Sequence, residues 1–146
     1  MNYSPTQKAY FAGFLDGDGS IYVRLKPNSD FRYGFQVAPY VVFFQSSKDR
    51  EKFDKICALI GVGYLRERND GMLEYTIQKQ CAIQEFLSDI IPYLLLKKDQ
   101  AELMLEILEK KSMVKSMEDF AMLAELIDQF RFLNYSKKRK IHALTP

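Results

Sequence analysis

FAGFLDGDGSIYVRLK, residues 11–26, changes character in its middle. An apolar, helix-like run delivers Asp16 and Asp18, interleaved with Gly17 and Gly19. Strict alternation follows, with Ile21, Val23 and Leu25 on one side and Tyr22, Arg24 and Lys26 on the other. A period of two is the mark of a strand with one buried face. Upstream, Ser4-Pro5-Thr6-Gln7 reads as a helix start: Ser4 as N-cap, Pro5 in the first turn and Gln7 completing a capping box. The helix is expected to end near Leu15, at the glycines. Ala9, Ala12, Gly13 and Asp16 share one face at i, i+3, i+4 and i+7, and such small residues would let another backbone come close. Tyr10, Phe11, Phe14 and Leu15 form the large apolar side.

Residues 27–32 read as a turn or a long hairpin tip. Phe35 to Gln45 reads as a second strand, in which Pro39 argues for an edge or a bulge. Ser46 then caps a helix carrying Phe53, Ile56, Cys57 and Ile60 on one stripe and stopping at Gly61. Gly63–Arg68 and Leu73–Gln78 form a hairpin around Asn69-Asp70-Gly71. A further helix, with Ile83, Phe86, Leu87 and Ile90, ends at Pro92, and two more run over Asp99–Lys111 and Met117–Asn134.

The order is α-β-β-α-β-β-α with extra C-terminal helix. Hairpins instead of βαβ crossovers imply an α+β fold: a four-stranded antiparallel sheet with helices on one face. The other face would carry Tyr22, Arg24, Lys26, Asn28, Gln36, Arg66, Arg68, Glu74, Thr76 and Gln78. Arg, Lys, Gln, Asn and Thr are the side chains that hydrogen-bond base edges and phosphates. A merely solvated face would be richer in Glu and Lys.

The bulk properties suit this picture. A chain of 146 residues, 47% hydrophobic and 27% charged, suggests one domain over residues 1–146. No apolar run reaches the length of a membrane span, and the first residues lack a secretion-signal pattern. Cys57 and Cys81 have no CxxC spacing, and His142 is the single histidine, so neither a disulfide framework nor a His/Cys zinc site is expected. The net charge of +2 is unevenly spread. Residues 99–128 hold eight acids against Lys110, Lys111 and Lys115, whereas residues 131–146 form a tail with Arg131, Lys137, Lys138, Arg139 and Lys140 and no acid. That asymmetry fits one face meeting a polyanion, or a simple solvated tail.

Asp-Gly-Asp-Gly admits several chemistries. Counting an EF-hand loop from Asp16 puts Ile21 at its glycine position and Pro27 at its glutamate position, so calcium-loop geometry fails. A phosphate-cradling Gly-Lys-Ser/Thr is absent. A helix C-cap with turn-forming aspartates explains one glycine and one acid. It leaves unexplained why an apolar helix brings both acids to one end.

YFAGFLDGDG, residues 10–19, resembles the signature of the LAGLIDADG homing endonucleases. SIYVRLKPN, IGVGYLRERNDG and PYLLLKKDQAELMLEILE resemble stretches of the single-motif, homodimeric, intron-encoded members, so the likeness spans roughly Tyr10 to Lys140. The resemblance implies a homodimer in which the first helix meets its twin through Ala9, Ala12, Gly13 and Asp16, beneath saddle-shaped sheets that hold double-stranded DNA. It implies metal ligation by Asp18 and the Gly17 carbonyl, with Asp16 structural. Oxygen donors without His or Cys favour hard divalent ions: Mg²⁺ is expected, with Mn²⁺ or Ca²⁺ able to occupy the sites. Gln45 matches the residue that orders water near the metals, and Lys97 the basic residue beside the scissile phosphate. A second basic position falls on Asp49, a departure that either Lys48 or Arg50 makes good with a small shift or that alters activity. Tyr22, Arg24, Lys26, Asn28, Gln36, Tyr40, Arg66, Arg68, Glu74 and Thr76 would face the DNA. Ser136, Lys137 and Lys140 would touch its backbone.

The implied activity is hydrolysis of both strands of a long pseudo-palindromic site, leaving short 3′ overhangs. A non-catalytic nucleic-acid binder of the same fold, such as an RNA maturase, is the alternative. Retention of Asp18, Gln45 and Lys97 favours cleavage. No membrane and no small-molecule substrate are expected, and the gene would belong to a chloroplast or mitochondrion.

Overall fold

The computed structural model describes residues 1–134. Ser136, Lys137 and Lys140 therefore lie outside the described residues. Among the described residues the order is α1 (Pro5–Asp18), β1 (Gly19–Pro27), β2 (Phe35–Ser46), a 3-10 turn, α2 (Arg50–Ile60), β3 (Tyr64–Glu67), β4 (Met72–Ile77), α3 (Gln80–Ile90), a second 3-10 turn, α4 (Lys98–Lys111), α5 (Met117–Asp128) and α6 (Phe130–Leu133). The sheet is antiparallel with strand order β1-β2-β4-β3. The expected α+β architecture holds.

The start of α1 is the expected capping box: Gln7 N–H donates to Ser4 Oγ at 3.1 Å, and Ser4 N–H to Gln7 Oε1 at 3.0 Å. Its end is not where the glycines suggest. The helix runs three residues past Leu15 to Asp18 and is closed by Gly19 N–H donating to the Leu15 carbonyl. A helical glycine costs only ~0.5–1 kcal/mol against alanine. Burial of Phe11, Ala12 and Leu15 outweighs that. Gly19 is where a side chain is forbidden, since a Cβ there would lie 2.4 Å from Leu15 Cδ1 and 2.9 Å from the Leu15 carbonyl oxygen.

Parity divides the sheet. Ile21, Val23, Leu25, Val41, Phe43, Leu73, Tyr75 and Ile77 pack beneath the helices with Phe11, Phe53, Phe86 and Met104. β1 and β2 pair without interruption from Gly19↔Phe43 to Pro27↔Phe35, so no bulge forms at Pro39. The β2–β4 ladder spans only Val41↔Ile77 to Ser46↔Met72. Pro39 thus sits where β2 has lost its β4 neighbour and is locally an edge, which a residue without an N–H tolerates.

The C-terminal helices extend the same helical layer, and Phe120, Leu123 and Ile127 join its core. The continuous helix expected over Met117–Asn134 breaks at Gln129, whose N–H turns to the Leu126 carbonyl at 3.1 Å. The break lets Phe130 enter the core at 0% exposure. Gln100 Nε2 donates to the Leu133 carbonyl at 2.9 Å, and Asn134 Nδ2 to the Ile21 carbonyl at 3.3 Å. Tyr33, at the β1–β2 tip, stacks on Phe120 of α5 with centroids 5.3 Å apart. The tip is thereby docked onto the helical layer.

Candidate metal and nucleic-acid site

α1 ends where β1 begins, so Gly17 and Asp18 emerge at one end of the sheet, both exposed. Gly17 lies in the last turn of the helix, where carbonyls lack intrahelical donors. Gly19 faces Phe43, and Gln45 lies two residues further along β2. At about 3.3 Å per residue, Gln45 extends past the β1 start toward the corner from which Asp18 enters. It is half-buried, and its Oε1 accepts from Ser46 N–H at 2.9 Å.

Lys97 reaches the same corner from the segment before α4. Asp16 Oδ2 accepts from Leu95 N–H at 2.8 Å and Asp16 Oδ1 from Lys97 N–H at 2.9 Å. Lys97 Nζ donates to the Asp16 carbonyl at 2.8 Å. Asp18, Gly17, Gln45 and Lys97 are therefore gathered around one end of α1. The next basic candidates divide. Arg50 is engaged with Glu67 at 3.2 Å and Asp54 at 3.6 Å, whereas Lys48 and Asp49 are exposed on the 3-10 turn Ser47–Asp49.

The dimer-face residues need correction. Ala12 is 0% exposed within its own chain and has no surface to offer a partner. Both carboxylate oxygens of Asp16, which is half-buried, accept from backbone of the same chain. Ala9 and Gly13 are exposed as expected. Tyr10, expected on the large apolar side of the helix, is 52% exposed and stands on their face. The exposed stripe is Thr6, Ala9, Tyr10, Gly13 and Gly17. Beside it, Leu95 and Leu96 are 87% and 69% exposed on the segment that Asp16 holds.

On the outer sheet face the register aligns Tyr22 with Tyr40, Arg24 with Ala38, and Lys26 with Gln36. Thr76 lies opposite both Val42 and Tyr64, and Glu74 opposite both Phe44 and Arg66. The expected face is thus assembled, but its centre is a small second core of Ala38, Tyr40 and Val42, flanked by Tyr22 and Phe44. Tyr22 stacks on Tyr40 at 4.8 Å, and Lys26 Nζ stands 5.5 Å above the Tyr40 ring. Tyr40 and Thr76, both expected to touch DNA, are only 8% and 6% exposed, because their neighbours on the sheet cover them. Arg24 is exposed; Lys26, Asn28 and Gln36 are half-buried. Asn28 Oδ1 accepts from Asp30 N–H at 3.0 Å, rigidifying the tip.

Arg66 and Arg68 converge on Glu74, at 2.9 and 3.3 Å, and Arg68 also pairs with Asp70 at 2.6 Å. Glu74 thus organises both guanidinium groups. Its even parity with Arg66 was readable in the sequence. The Asp16 bridge, across about eighty residues, carried no local signal.

Hard oxygen donors suit a divalent cation such as Mg²⁺. One chain supplies two at this corner, the Asp18 carboxylate and the Gly17 carbonyl. Among the described residues no group of three or more His, Cys, Asp or Glu gathers that could hold a metal ion. A hexacoordinate site would need further oxygens from a second copy, from phosphate and from water.

Fold and site together define the class: the LAGLIDADG endonuclease family model matches residues 11–104, and the chain belongs to that family. It is 37% identical over 132 residues to DNA endonuclease I-CreI of Chlamydomonas reinhardtii, covering 90% of this chain and 80% of that protein. It is 35% identical over 135 residues to DNA endonuclease I-CvuI of Chlorella vulgaris, covering 92% and 84%. The structure of the homing endonuclease I-CvuI in complex with the I-CreI target, in the presence of 2 mM Mg and with the DNA not cleaved, superposes with a TM-score of 0.86 at 33% identity, covering 92% of this chain and 86% of that one.

Proposed function

We propose that this chain is a divalent-metal-dependent, site-specific double-strand DNA endonuclease acting as a homodimer. The observation that carries the reading is the convergence of Asp18, Gly17, Gln45 and Lys97 at the end of α1, next to a sheet face lined with arginines. Family membership, the two DNA endonuclease relatives and the DNA complex of I-CvuI solved with Mg all support it.

The dimer reading rests on the exposed stripe of Ala9, Tyr10, Gly13 and Gly17, with Leu95 and Leu96 beside it. Two copies meeting there would bring two Asp18 carboxylates together, and their mutual repulsion favours cation binding. A bound cation, Mg²⁺ for preference, would supply a water of lowered pKa and charge neutralisation at the phosphate. Asp18 and the Gly17 carbonyl would hold it. Gln45 orients solvent, and the Lys97 ammonium, with donors to spare beyond its bond to Asp16, offsets charge on the scissile phosphate. At Asp49, exposed Lys48 is better placed than the engaged Arg50 to supply a second positive charge. Arg24, Lys26, Gln36, Asn28, Arg66 and Arg68 contact DNA on the outer face, and Ser136, Lys137 and Lys140 add backbone contacts. A chloroplast or mitochondrial gene fits relatives drawn from green algae.

Replacing Asp18 tests the reading. Asp18→Asn removes a ligand charge without removing side-chain volume. It is expected to keep DNA binding in a gel-shift titration and to lose Mg²⁺-dependent cleavage. A variant that cuts at the parent rate would remove Asp18 from the metal site.

A further inference from the structure

Asp16 makes bonds that a plain helix end would not need. Its two carboxylate oxygens each take a backbone N–H from the segment before α4, Leu95 at 2.8 Å and Lys97 at 2.9 Å. A carboxylate can accept both; an amide of the same shape has only one oxygen and would turn its NH2 toward a second donor. In the same segment Leu94 is buried at 2% exposure, whereas Leu95 and Leu96 are 87% and 69% exposed, so past Leu94 side-chain burial does not hold it in place. Lys97 Nζ returns to the Asp16 carbonyl at 2.8 Å, near the negative end of the α1 dipole and two residues from Asp18.

We propose that Asp16 is a positioning residue for DNA cleavage: its carboxylate clamps the Leu95–Lys97 backbone so that the Lys97 ammonium stays beside Asp18. The inference rests on the endonuclease reading and on Lys97 acting at the phosphate. Two acids of one motif then divide the work. Asp18 meets the metal, and Asp16 fixes the basic group on the facing segment. Charge-assisted bonds to two N–H groups make this clamp stronger than neutral bonds would be.

The test compares single-turnover cleavage at saturating DNA for Asp16→Asn, Lys97→Ala and the double variant, with DNA affinity measured alongside. A misplacement of about an ångström costs on the order of 100-fold in rate, and Asp16→Asn is expected to lose about that much while its affinity stays close to the parent's. In the Lys97→Ala background the same substitution is expected to add little. Asp16→Glu keeps two acceptor oxygens and is expected to recover part of the rate; it carries the same comparison should Asp16→Asn not fold. Parent-like rates for both Asp16 variants would overturn the proposal, as would a full, additive loss on top of Lys97→Ala. A Lys97→Ala variant cutting at full rate would remove the clamp's purpose and overturn it too, while leaving the Asp18 test of the endonuclease reading untouched.

Discussion

Phe43 and Phe44 are neighbours on β2 that point to opposite faces of the sheet. Phe43 is 0% exposed and lies edge-on to Phe86, with centroids 5.9 Å apart; Phe44 flanks the small apolar patch of the outer face. One face is a continuous core shared with the helices. The other has an apolar centre hemmed by Arg24, Lys26, Gln36 and the Arg66–Glu74–Arg68 group. The difference shows that the outer face is built as a surface in its own right: an apolar patch stiffens it, and Glu74 and Asp70 hold Arg66 and Arg68 in place before any ligand arrives.

The contrast can be broken most strongly at its core member. Phe43→Ala is expected to cost ~3–5 kcal/mol in a urea melt. Phe44→Ala, half-buried, is expected to cost about 1–2 kcal/mol. Equal costs would mean that the outer face is a second core and not a binding surface. At the arginines, Arg66→Ala is expected to lose ~1–3 kcal/mol of affinity at one base position, read by competition with singly substituted DNA sites. A uniform loss across all sequences would make Arg66 a phosphate contact instead. Smallest of all, Glu74→Gln should change the melting free energy by less than about 1 kcal/mol, because the pairs it breaks are solvent-exposed on the arginine side. The same variant is expected to broaden base preference by releasing Arg66, while Arg68 keeps its pair with Asp70, so its signature lies in the specificity profile.

Much of this was legible beforehand. Alternation along Ser20–Lys26 and the Asn69-Asp70-Gly71 turn placed the hairpins and their faces, and Gly71 indeed takes a left-handed φ of 82°. Parity alone put Arg66 and Glu74 on one side. The first helix was harder. Apolar residues surround α1, so a small-residue stripe at i, i+3, i+4 and i+7 could not show which side faced inward. Ala12 belongs to the core, and Tyr10 to the surface. The helix outruns its glycines because glycine propensity is weak against tertiary contacts made by residues far along the chain. Long-range contacts also hid the role of Asp16, whose partners lie 79 and 81 residues away. Pro39 is tolerated in an inner strand because the β2–β4 ladder stops at Val41, a long-range fact that no local pattern carries.

The central claim is that two copies of this chain cut a defined duplex sequence with a divalent cation. Incubating the protein with a randomised double-stranded DNA library, with and without Mg²⁺, and sequencing the ends tests it most directly. Cleavage of both strands at a pseudo-palindromic site, with short 3′ overhangs, is expected only when the metal is present. Selective enrichment of bound sequences with no cut strand in Mg²⁺ or Mn²⁺ would contradict it and favour a non-catalytic nucleic-acid binder.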